Sequence, residues 1–542
     1  MIARKQVENM NENNALENRR ANAVAAVFAL ALLALALWLG QQARPVALPD
    51  LHLDAGERLA CVSYSPFHLP GQTPLNPHAF IPPAQIRADL AALAERTACV
   101  RIYSTDQGLD AVLPAARELG LKVILGAWLG VDTAANERAL TRAIELANAN
   151  TDVVDVLMVG NEVLLRQEQT PAQMMAWLQR VKAQSRVPVS YADVWEFWRQ
   201  NRALAQWVDQ VTVHILPFWE DEPVPIEYAV RHVGETFARM QREFPDKLVR
   251  IGETGWPGAG RQRRKAVPSR VNQARFVREF VAAAHANGWR YNFIEAIDQP
   301  WKRQLEGTVG GHWGVLDAHL QPKFPLTGEV SERDSLGLPA LAGALMAALC
   351  LLCAGRRAGA RARLAALFSG LCAGAIGVLV WEHAQQAWRD ALEWTALGVV
   401  SVSALLLVPL AARLRNTPLP AFAPRHAQED GAPSAAWLFS ALRLLVLFAA
   451  AVAALLLVFD PRYRDFPIWQ FAAPALLFFA LRLGGERLPA PALQERTCAL
   501  TLAVCAPIRW AMDPLNPEAL MWLVTALGMA TVALERRAKQ TD

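Results

Sequence analysis

Eight short apolar runs alternate with longer amphipathic segments between residues 59 and 294, and this alternation constrains the fold more than any other feature. The runs are Leu59–Tyr64, Cys99–Ser104, Leu121–Gly126, Val156–Gly160, Val187–Tyr191, Val211–Ile215, Leu248–Gly252 and Arg290–Ile294. Helix-length segments separate them, among them Pro83–Arg96, Ala134–Asn148, Pro171–Ser185, Ile226–Phe244 and Ser269–Asn287. Eight strands with helices between them, in roughly 250 residues, predict an α/β domain at residues 50–330 that folds as a (β/α)8 TIM barrel. A doubly wound open sheet is the alternative, because periodicity does not show whether a sheet closes.

Long uncharged runs flank this domain and account for the 53% hydrophobic content of the chain. Residues 21–43 are long enough to span a bilayer and too long for a typical signal-peptide core, so an uncleaved anchor is favoured over a cleaved signal. Seven further runs lie at residues 336–355, 364–381, 394–412, 435–459, 466–481, 497–512 and 519–534. The sequence therefore predicts about eight α-helical transmembrane segments, the anchor and a seven-span bundle over residues 336–534.

The distribution of basic residues predicts which side of the membrane each segment faces. Arg19 and Arg20 precede the anchor, and alternate connections in the bundle are basic. These connections carry Arg356, Arg357, Arg361 and Arg363, then Arg413, Arg415 and Arg425, then Arg482, Arg487 and Arg496, and finally Arg536, Arg537 and Lys539. By the positive-inside rule, the tails at residues 1–20 and 535–542 are cytoplasmic and the barrel lies outside.

Arg443 is a charged residue inside the predicted fifth span. It lies close to the cytoplasmic end of that span, so we expect its side chain to reach the interface rather than to form a functional pair. Apart from Arg443 and Arg509, the bundle has few buried charges, which favours a role as an anchor or a docking surface for a partner.

Net charge and cysteine content exclude or restrict several other classes of function. The net charge of +4 is small, and the arginines lie beside apolar runs, so no nucleic-acid partner is expected. Five of the seven cysteines fall in apolar segments and are expected to be small buried hydrophobes, namely Cys350, Cys353, Cys372, Cys498 and Cys505. Cys61 and Cys99 begin the first and second predicted strands. We expect two buried thiols there, with a disulfide as the alternative.

Two glutamates follow apolar runs at the points where strands should end. Residues 155–162 read Asp-Val-Leu-Met-Val-Gly-Asn-Glu, and residues 248–256 read Leu-Val-Arg-Ile-Gly-Glu-Thr-Gly-Trp. In a barrel of parallel strands, the carboxyl ends of all strands meet at one face, so Glu162 and Glu253 should lie on that face. Two carboxylates there are what cleavage of a glycosidic bond requires. No metal-ligand cluster, phosphate-binding loop or Ser-His-Asp order stands out, so no cofactor and no metal is predicted.

Four segments together resemble glycoside hydrolase family 17, the β-1,3-glucanase family. They are Cys-Val-Ser-Tyr-Ser-Pro-Phe at residues 61–67, Val-Arg-Ile-Tyr-Ser-Thr-Asp at 100–106, Val-Gly-Asn-Glu at 159–162 and Gly-Glu-Thr-Gly-Trp-Pro at 252–257. The resemblance covers roughly residues 57–330, in the family's order. It implies a TIM barrel and a retaining mechanism, with Glu162 as the acid/base and Glu253 as the nucleophile. The alternative, two surface glutamates in loops, fits these contexts poorly.

The resemblance also implies candidate substrate-binding residues. Asn161 is similar to the family's asparagine that hydrogen-bonds the sugar 2-hydroxyl, and Tyr103 is expected to line the catalytic subsite. His214 ends the sixth predicted strand, before aromatic residues that could stack on sugar rings. The remaining candidates are Tyr64, Tyr191, Asp193, Trp256, Glu295, Asp298, Trp301 and Lys302. The eighth-strand region differs from that of plant members and leaves glucan length and linkage specificity open.

These features predict a membrane-bound enzyme that acts on β-1,3-glucan outside the cytoplasmic membrane. Attack by water would give hydrolysis, and attack by a sugar hydroxyl would give transglycosylation. Membrane-attached bacterial members of the family are associated with β-(1,3),(1,6)-glucan formation, so the resemblance suggests synthesis or remodelling at a bacterial inner membrane, with the barrel on the periplasmic side. Expected partners are the β-glucan, the lipid bilayer and, as a candidate, a membrane glucan synthase. The alternative is a non-catalytic glucan-binding scaffold subunit of a polysaccharide export complex.

Overall fold

The computed structural model describes residues 2–52, 58–415, 419, 434–485 and 492–531. The chain divides into two compact units, Pro45–Ser331 and a second unit made of Met1–Arg44 with Glu332–Asp542. The predicted tail at residues 535–542 lies outside the described residues, as do the basic residues Arg425, Arg487, Arg536, Arg537 and Lys539.

Eight parallel strands form a closed barrel in the unit Pro45–Ser331. They are β1 Val62–Ser63, β2 Cys99–Ile102, β3 Lys122–Ala127, β4 Val154–Asn161, β5 Val189–Val194, β6 Gln210–His214, β7 Leu248–Thr254 and β8 Tyr291–Phe293. Each strand pairs with the next, and β8 pairs with β1 through Phe293 and Val62. The predicted TIM barrel is therefore confirmed, and the open sheet is excluded.

The described residues contain sixteen α-helices, numbered in chain order. They are α1 Ile2–Gln42, α2 Pro83–Ala94, α3 Val112–Glu118, α4 Thr133–Ala149, α5 Pro171–Gln184, α6 Trp195–Gln200, α7 Ile226–Glu243, α8 Arg270–Asn287, α9 Arg303–Gly310, α10 Gly337–Ala354, α11 Ala360–Ala387, α12 Ala391–Arg413, α13 Ala435–Phe459, α14 Ile468–Leu483, α15 Leu493–Met512 and α16 Pro517–Ala530. Local sequence sets several ends: Asp132 caps α4, and Thr170 forms a capping box with Gln173 at the start of α5.

The two ends of the barrel unit are tied to each other by backbone hydrogen bonds. The amide of Val46 donates to the carbonyl of Val330 at 2.8 Å, and the amide of Val330 donates back at 3.0 Å. This antiparallel bridge joins the first and last segments of the unit, and neither residue belongs to a barrel strand.

Alternation along the strands produces two buried layers in the barrel unit. Residues such as Val62 and Val100 belong to the large core that includes the surrounding helices. Cys61 and Cys99, one position earlier, belong to a separate small cluster of buried strand residues. The two cysteines form a disulfide that joins the start of β1 to β2. The expectation of two buried thiols was therefore wrong, because parallel neighbours in register bring the two side chains together.

The second unit is helical, and five helices among the described residues are long and apolar enough to cross a membrane. They are Glu17–Gln42 within α1, together with α10, α11, α12 and α13. This number is smaller than the predicted total of about eight. Helices α14 and α16 are apolar but only 16 and 14 residues long, whereas a span needs about 20 residues. Helix α15 has 20 residues but includes Glu495, Arg496 and Arg509.

Arg443 does not reach an interface, contrary to the expectation from sequence. Its side chain is fully buried and forms an ion pair with Glu495, which is buried as well. The Nε and Nη2 atoms of Arg443 donate to Oε1 of Glu495 at 2.9 and 2.7 Å. Because Glu495 begins α15 and Arg443 lies in α13, the pair joins two helices of this unit.

Candidate active site

Glu162 and Glu253 lie at the carboxyl ends of β4 and β7. Glu253 belongs to β7, and Glu162 directly follows β4 with a φ of 52°, a left-handed conformation that non-glycine residues adopt uncommonly. A carboxylate oxygen of each glutamate and a ring nitrogen of His214 all lie within 4.8 Å of one another. Retaining glycosidases place their two carboxyl groups about 5 Å apart, so this arrangement fits that class.

His214 contacts both glutamates from the end of β6. Its Nδ1 lies 2.7 Å from Oε1 of Glu162, and its Nε2 lies 3.7 Å from Oε1 of Glu253. Burial by itself would raise the pKa of Glu162. The hydrogen bond and charge of His214, together with the charges of Arg166 and Arg101, hold that pKa below its usual range.

Arg101, in β2, connects the residues around both glutamates, although sequence analysis did not select it. Its Nη2 donates to Oδ1 of Asn161 at 2.5 Å, and its Nη1 donates to the carbonyl of Gly252 at 2.8 Å. The same Nη1 lies 3.6 Å from Oε1 of Glu253. The signal in the sequence was an arginine between two apolar residues of a strand, since a buried charge there requires partners.

A chain of hydrogen bonds fixes the orientation of the Glu253 carboxylate. Tyr103 donates its hydroxyl proton to Oε1 of Glu253 at 2.7 Å. Ser63 lies 2.7 Å from the Tyr103 oxygen and accepts a hydrogen bond from Nδ2 of Asn292 at 2.7 Å. The Asn292 amide donates to Ser63 and the Tyr103 phenol donates to Glu253, so the Ser63 hydroxyl donates to the Tyr103 oxygen. All three hydrogen bonds therefore run in the same direction, toward Glu253. Burial and the charge of Glu253 raise the pKa of Tyr103, which keeps the phenol protonated.

The segment after β8 adds a buried ion pair to the same unit. Lys302 donates to Oε2 of Glu295 at 2.8 Å, and the other oxygen, Oε1, is buried without a hydrogen-bond partner. Burial raises the pKa of Glu295 to about 7, against the opposing charge of Lys302. Asp298 accepts a hydrogen bond from Lys323 at 2.8 Å and is not free to bind a ligand without exchanging that contact. The partly exposed Trp301 is positioned by a hydrogen bond from its indole nitrogen to a neighbouring glutamine at 2.8 Å.

The other four candidates are at most 1% exposed, and hydrogen bonds within the barrel unit hold their side chains. Tyr64 donates to a carboxylate on α2 at 2.7 Å, and Trp256 donates its indole proton to a backbone carbonyl at 3.0 Å. Tyr191 donates to Asp193, and both side chains accept from the backbone amide of Leu164. Direct contact of these four side chains with a sugar stays a prediction.

Among the described residues, Glu162, His214 and Glu253 are the group whose atoms could hold a metal ion. A bound divalent ion would neutralise the two carboxylates that glycosidic cleavage uses. The hydrogen bond between His214 and Glu162 already engages two of the three potential ligand atoms.

The barrel region of the chain matches a family of known proteins. The family described as BtgE/BtgC glycoside hydrolase domain matches residues 61–314, a range that contains both glutamates. The "Glucan 1,3-beta-glucosidase" of Arthroderma benhamiae is 30% identical over 271 residues, which cover 46% of this chain and 86% of that protein. The chain belongs to this glycoside hydrolase family.

More distant relatives extend the comparison. The protein btgC of Aspergillus clavatus, named for glucan endo-1,3-beta-glucosidase activity, is 27% identical over 270 residues, or 44% of this chain and 38% of that protein. The chain thus spans about two fifths of that relative's length. A solved glycoside hydrolase family 17 β-1,3-glucanosyltransferase from Rhizomucor miehei is 24% identical with a TM-score of 0.43, and the match covers 49% of this chain and 95% of that one.

The family match and the relative from Arthroderma benhamiae confirm that the barrel unit is a glycoside hydrolase domain, as the sequence predicts. The chain carries a glycoside hydrolase domain related to glucan 1,3-beta-glucosidases.

Proposed function

We propose that the barrel unit is a retaining glycosidase or transglycosylase that acts on β-1,3-glucan, with Glu253 as the nucleophile and Glu162 as the acid/base. The observation that carries this proposal is the approach of the two carboxylates to within 4.8 Å at one end of a closed barrel. At that separation, one carboxylate can bond to the anomeric carbon while the other protonates the leaving oxygen. The substrate class is supported by the name of the relative from Arthroderma benhamiae.

In the first half-reaction, Glu253 attacks the anomeric carbon, and the bond from that carbon to the leaving oxygen breaks. Glu162 gives its proton to the leaving oxygen, which departs as a sugar hydroxyl. In the second half, water or another sugar hydroxyl gives its proton to Glu162, and its oxygen replaces Glu253 at the anomeric carbon. Tyr103 and Arg101 hold Oε1 of Glu253, so they position the attacking carboxylate.

The acid role places a requirement on Glu162, whose pKa lies below its usual range in the free protein. A bound sugar would displace solvent from this side chain, which is 22% exposed, and loss of solvent favours the neutral carboxyl group. We therefore expect Glu162 to take up its proton together with substrate. After Glu253 has become a neutral ester, the nearby negative charge is removed, and Glu162 more readily acts as a base.

Two variants test the assignment with laminari-oligosaccharides as substrates. Glu253→Gln should abolish turnover, and Glu162→Ala should lose most activity with natural substrates but regain activity when azide is added. Retention predicts that the first product detected by NMR has the β configuration, and an α product would contradict it. Glu118→Gln is the matched control, because Glu118 pairs with Arg87 on the exposed surface of the unit.

We further propose that the protein is a multi-pass protein of a bacterial inner membrane, with the barrel on the periplasmic side, and that it takes part in β-(1,3),(1,6)-glucan synthesis or remodelling. The five apolar helices and the basic connections support the topology, and the disulfide between Cys61 and Cys99 suits an oxidising compartment. Labelling of cysteines introduced singly beside Arg357 and at Asp317 would test it. Only the second should react from the outside.

Product sizing separates the possible outcomes of turnover. Chains longer than the starting laminari-oligosaccharide would establish transfer, whereas only shorter chains would restrict the enzyme to hydrolysis. Glucan binding without any turnover would instead favour the scaffold function.

A further inference from the structure

Trp128 presents an indole ring at the mouth of the barrel without a role in the chemistry described above. It directly follows β3, and it is 43% exposed, unlike Trp256, which is fully buried. Two further apolar side chains, Val131 after β3 and Leu165 after β4, are also exposed. An exposed apolar surface beside an active site indicates binding more often than it does elsewhere on a protein.

Arg166 covers one face of the Trp128 ring. Its guanidinium carbon lies 4.2 Å from the ring centroid, within the range of a cation–π contact. The guanidinium is itself held by three acceptors: the carbonyl of Leu129 at 2.8 Å, the carboxylate of Glu168 at 2.6 Å and the carbonyl of Asn161. An arginine fixed in this way keeps the indole in place, so the exposed part of the ring can receive a ligand without first being ordered.

The same contacts place this platform beside Glu162. Arg166 binds the carbonyl of the residue that precedes Glu162, and its own amide donates to the Glu162 carbonyl at 2.8 Å. In the barrel, β3 and β4 are neighbours, whereas β7, which carries Glu253, is three strands away from β4. The ring therefore lies on the side of the cleft that serves the acid/base and not on the side that serves the nucleophile.

We propose that Trp128 is the stacking platform of the acceptor subsite, which binds the leaving sugar in the first half-reaction and the accepting sugar in the second. This inference rests on the proposed function and deepens it. The apolar face of a pyranose ring stacks on an indole, and Glu162 must reach the oxygen of that same sugar in both half-reactions. When an acceptor is seated, its hydroxyl oxygen bonds to the anomeric carbon, the ester bond to Glu253 breaks, and the hydroxyl proton passes to Glu162.

A seated acceptor also explains how a sugar could compete with water. Water is present at a far higher concentration than any oligosaccharide, so transfer requires a bound acceptor with its hydroxyl already in place. A platform held by Arg166 supplies that binding at little cost in conformational entropy. Loss of the ring should therefore reduce transfer much more than it reduces hydrolysis.

The test compares Trp128→Ala, Trp128→Phe and Tyr228→Ala in the full-length protein. Tyr228 is the matched control, because it is 52% exposed and also lies under an arginine, Arg231 at 4.9 Å, but on helix α7. Products from laminaritetraose are sized over time, and hydrolysis of an aryl β-laminaribioside is measured in parallel. We expect Trp128→Ala to lower the ratio of transfer to hydrolysis at least tenfold, Trp128→Phe to retain most of it, and Tyr228→Ala to leave it unchanged.

Other outcomes would overturn the proposal. An equal loss of transfer, hydrolysis and aryl-glycoside cleavage in Trp128→Ala would assign the ring to the donor side or to folding, and an unchanged ratio would remove the subsite. If the wild-type protein gives only shorter products, transfer fails as a function but the subsite is still tested. In that case Trp128→Ala should raise the KM for laminaritetraose severalfold, whereas Tyr228→Ala should leave it at the wild-type value. A KM for laminaritetraose that is equal in Trp128→Ala and the wild type would overturn the proposal.

Discussion

The orientation of one carboxylate depends on side chains from several strands. Oε1 of Glu253 accepts from Tyr103, which follows β2, and Tyr103 in turn accepts from Ser63 of β1. In this series of hydrogen bonds, each donor is fixed by its neighbours, so every proton points toward Glu253. The carboxylate that we propose as the nucleophile is therefore held in place before substrate arrives, and the entropy lost in ordering it is lost during folding.

Removing the Tyr103 hydroxyl, which donates to Glu253, should lower the rate of the chemical step. We expect Tyr103→Phe to reduce kcat about 10- to 100-fold with a small change in KM, because a hydrogen bond to a charged group contributes about 1.5–3 kcal/mol. Steady-state kinetics with laminari-oligosaccharides provide the measurement, and Tyr228→Phe is the control on an outer helix. A change confined to KM would show that Tyr103 binds sugar and does not position the nucleophile.

Glu295 should introduce an ionisation into the pH profile of kcat/KM. Its pKa is raised to about 7, so the carboxyl is protonated below that pH and becomes an anion above it. The anion adds negative charge near the developing positive charge of the sugar, whereas Gln imitates the neutral form. Glu295→Gln should thus match the wild type at about pH 5.5 and fall below it at about pH 8.5. A constant ratio across this range would show that Glu295 does not titrate there.

The residues that were predicted and those that were missed differ in one respect. Glu253 directly follows Gly252, and Glu162 follows Gly160 and Asn161, each at the end of an apolar run, a local pattern that a sequence displays directly. Arg101, Ser63 and Asn292 act through partners on other strands, and only the closed barrel brings them together. Contacts of this kind are set by strand register, which periodicity does not determine.

At the scale of elements, a covalent bond joins two adjacent strands of the barrel. The Cys61–Cys99 disulfide closes a loop with a sequence separation of 38 residues that contains α2. The existence of all eight strands could be predicted from apolar runs alone, whereas the disulfide could not. Pairing required knowledge that β1 and β2 are neighbours in register.

Removing this disulfide should destabilise the barrel unit. Loop-closure entropy predicts that Cys61→Ser together with Cys99→Ser lowers the free energy of unfolding by about 4 kcal/mol. Thermal unfolding followed by glucanase activity would show the change, and the wild type should move to the same midpoint in a strong reductant. Cys353→Ser serves as the control, since Cys353 is a free cysteine of the other unit. A midpoint insensitive to reductant would contradict the expectation.

At the scale of the whole molecule, composition alone separated the barrel from the helical unit. The number of spans was overestimated, because an apolar run shows neither where its helix ends nor which charges the helix includes. Helix α15 illustrates this, since Glu495 lies in its first turn and pairs with Arg443 of α13. That pairing depends on two segments 52 residues apart, so neither run displayed it.

Breaking the Arg443–Glu495 pair should loosen the helical unit and spare the enzyme. We expect Glu495→Gln to cost about 3–5 kcal/mol, because it leaves a buried guanidinium without its carboxylate, whereas replacing both residues by Met should recover most of the loss. Thermal stability in detergent measures the effect, with Glu393→Gln as the control at the exposed pair with Arg389. Glucan cleavage should stay within about twofold. A large loss of cleavage would show that the two units depend on each other.

The bridge between Val46 and Val330 has an evolutionary consequence. The segments that enter and leave this domain lie side by side. The distance between them is therefore as short as that between the two ends of a hairpin turn. Such a domain can be inserted into a loop of an unrelated protein, or removed from it, without displacing the residues on either side of the insertion. Recombination alone could in this way move a glycoside hydrolase domain from one protein to another.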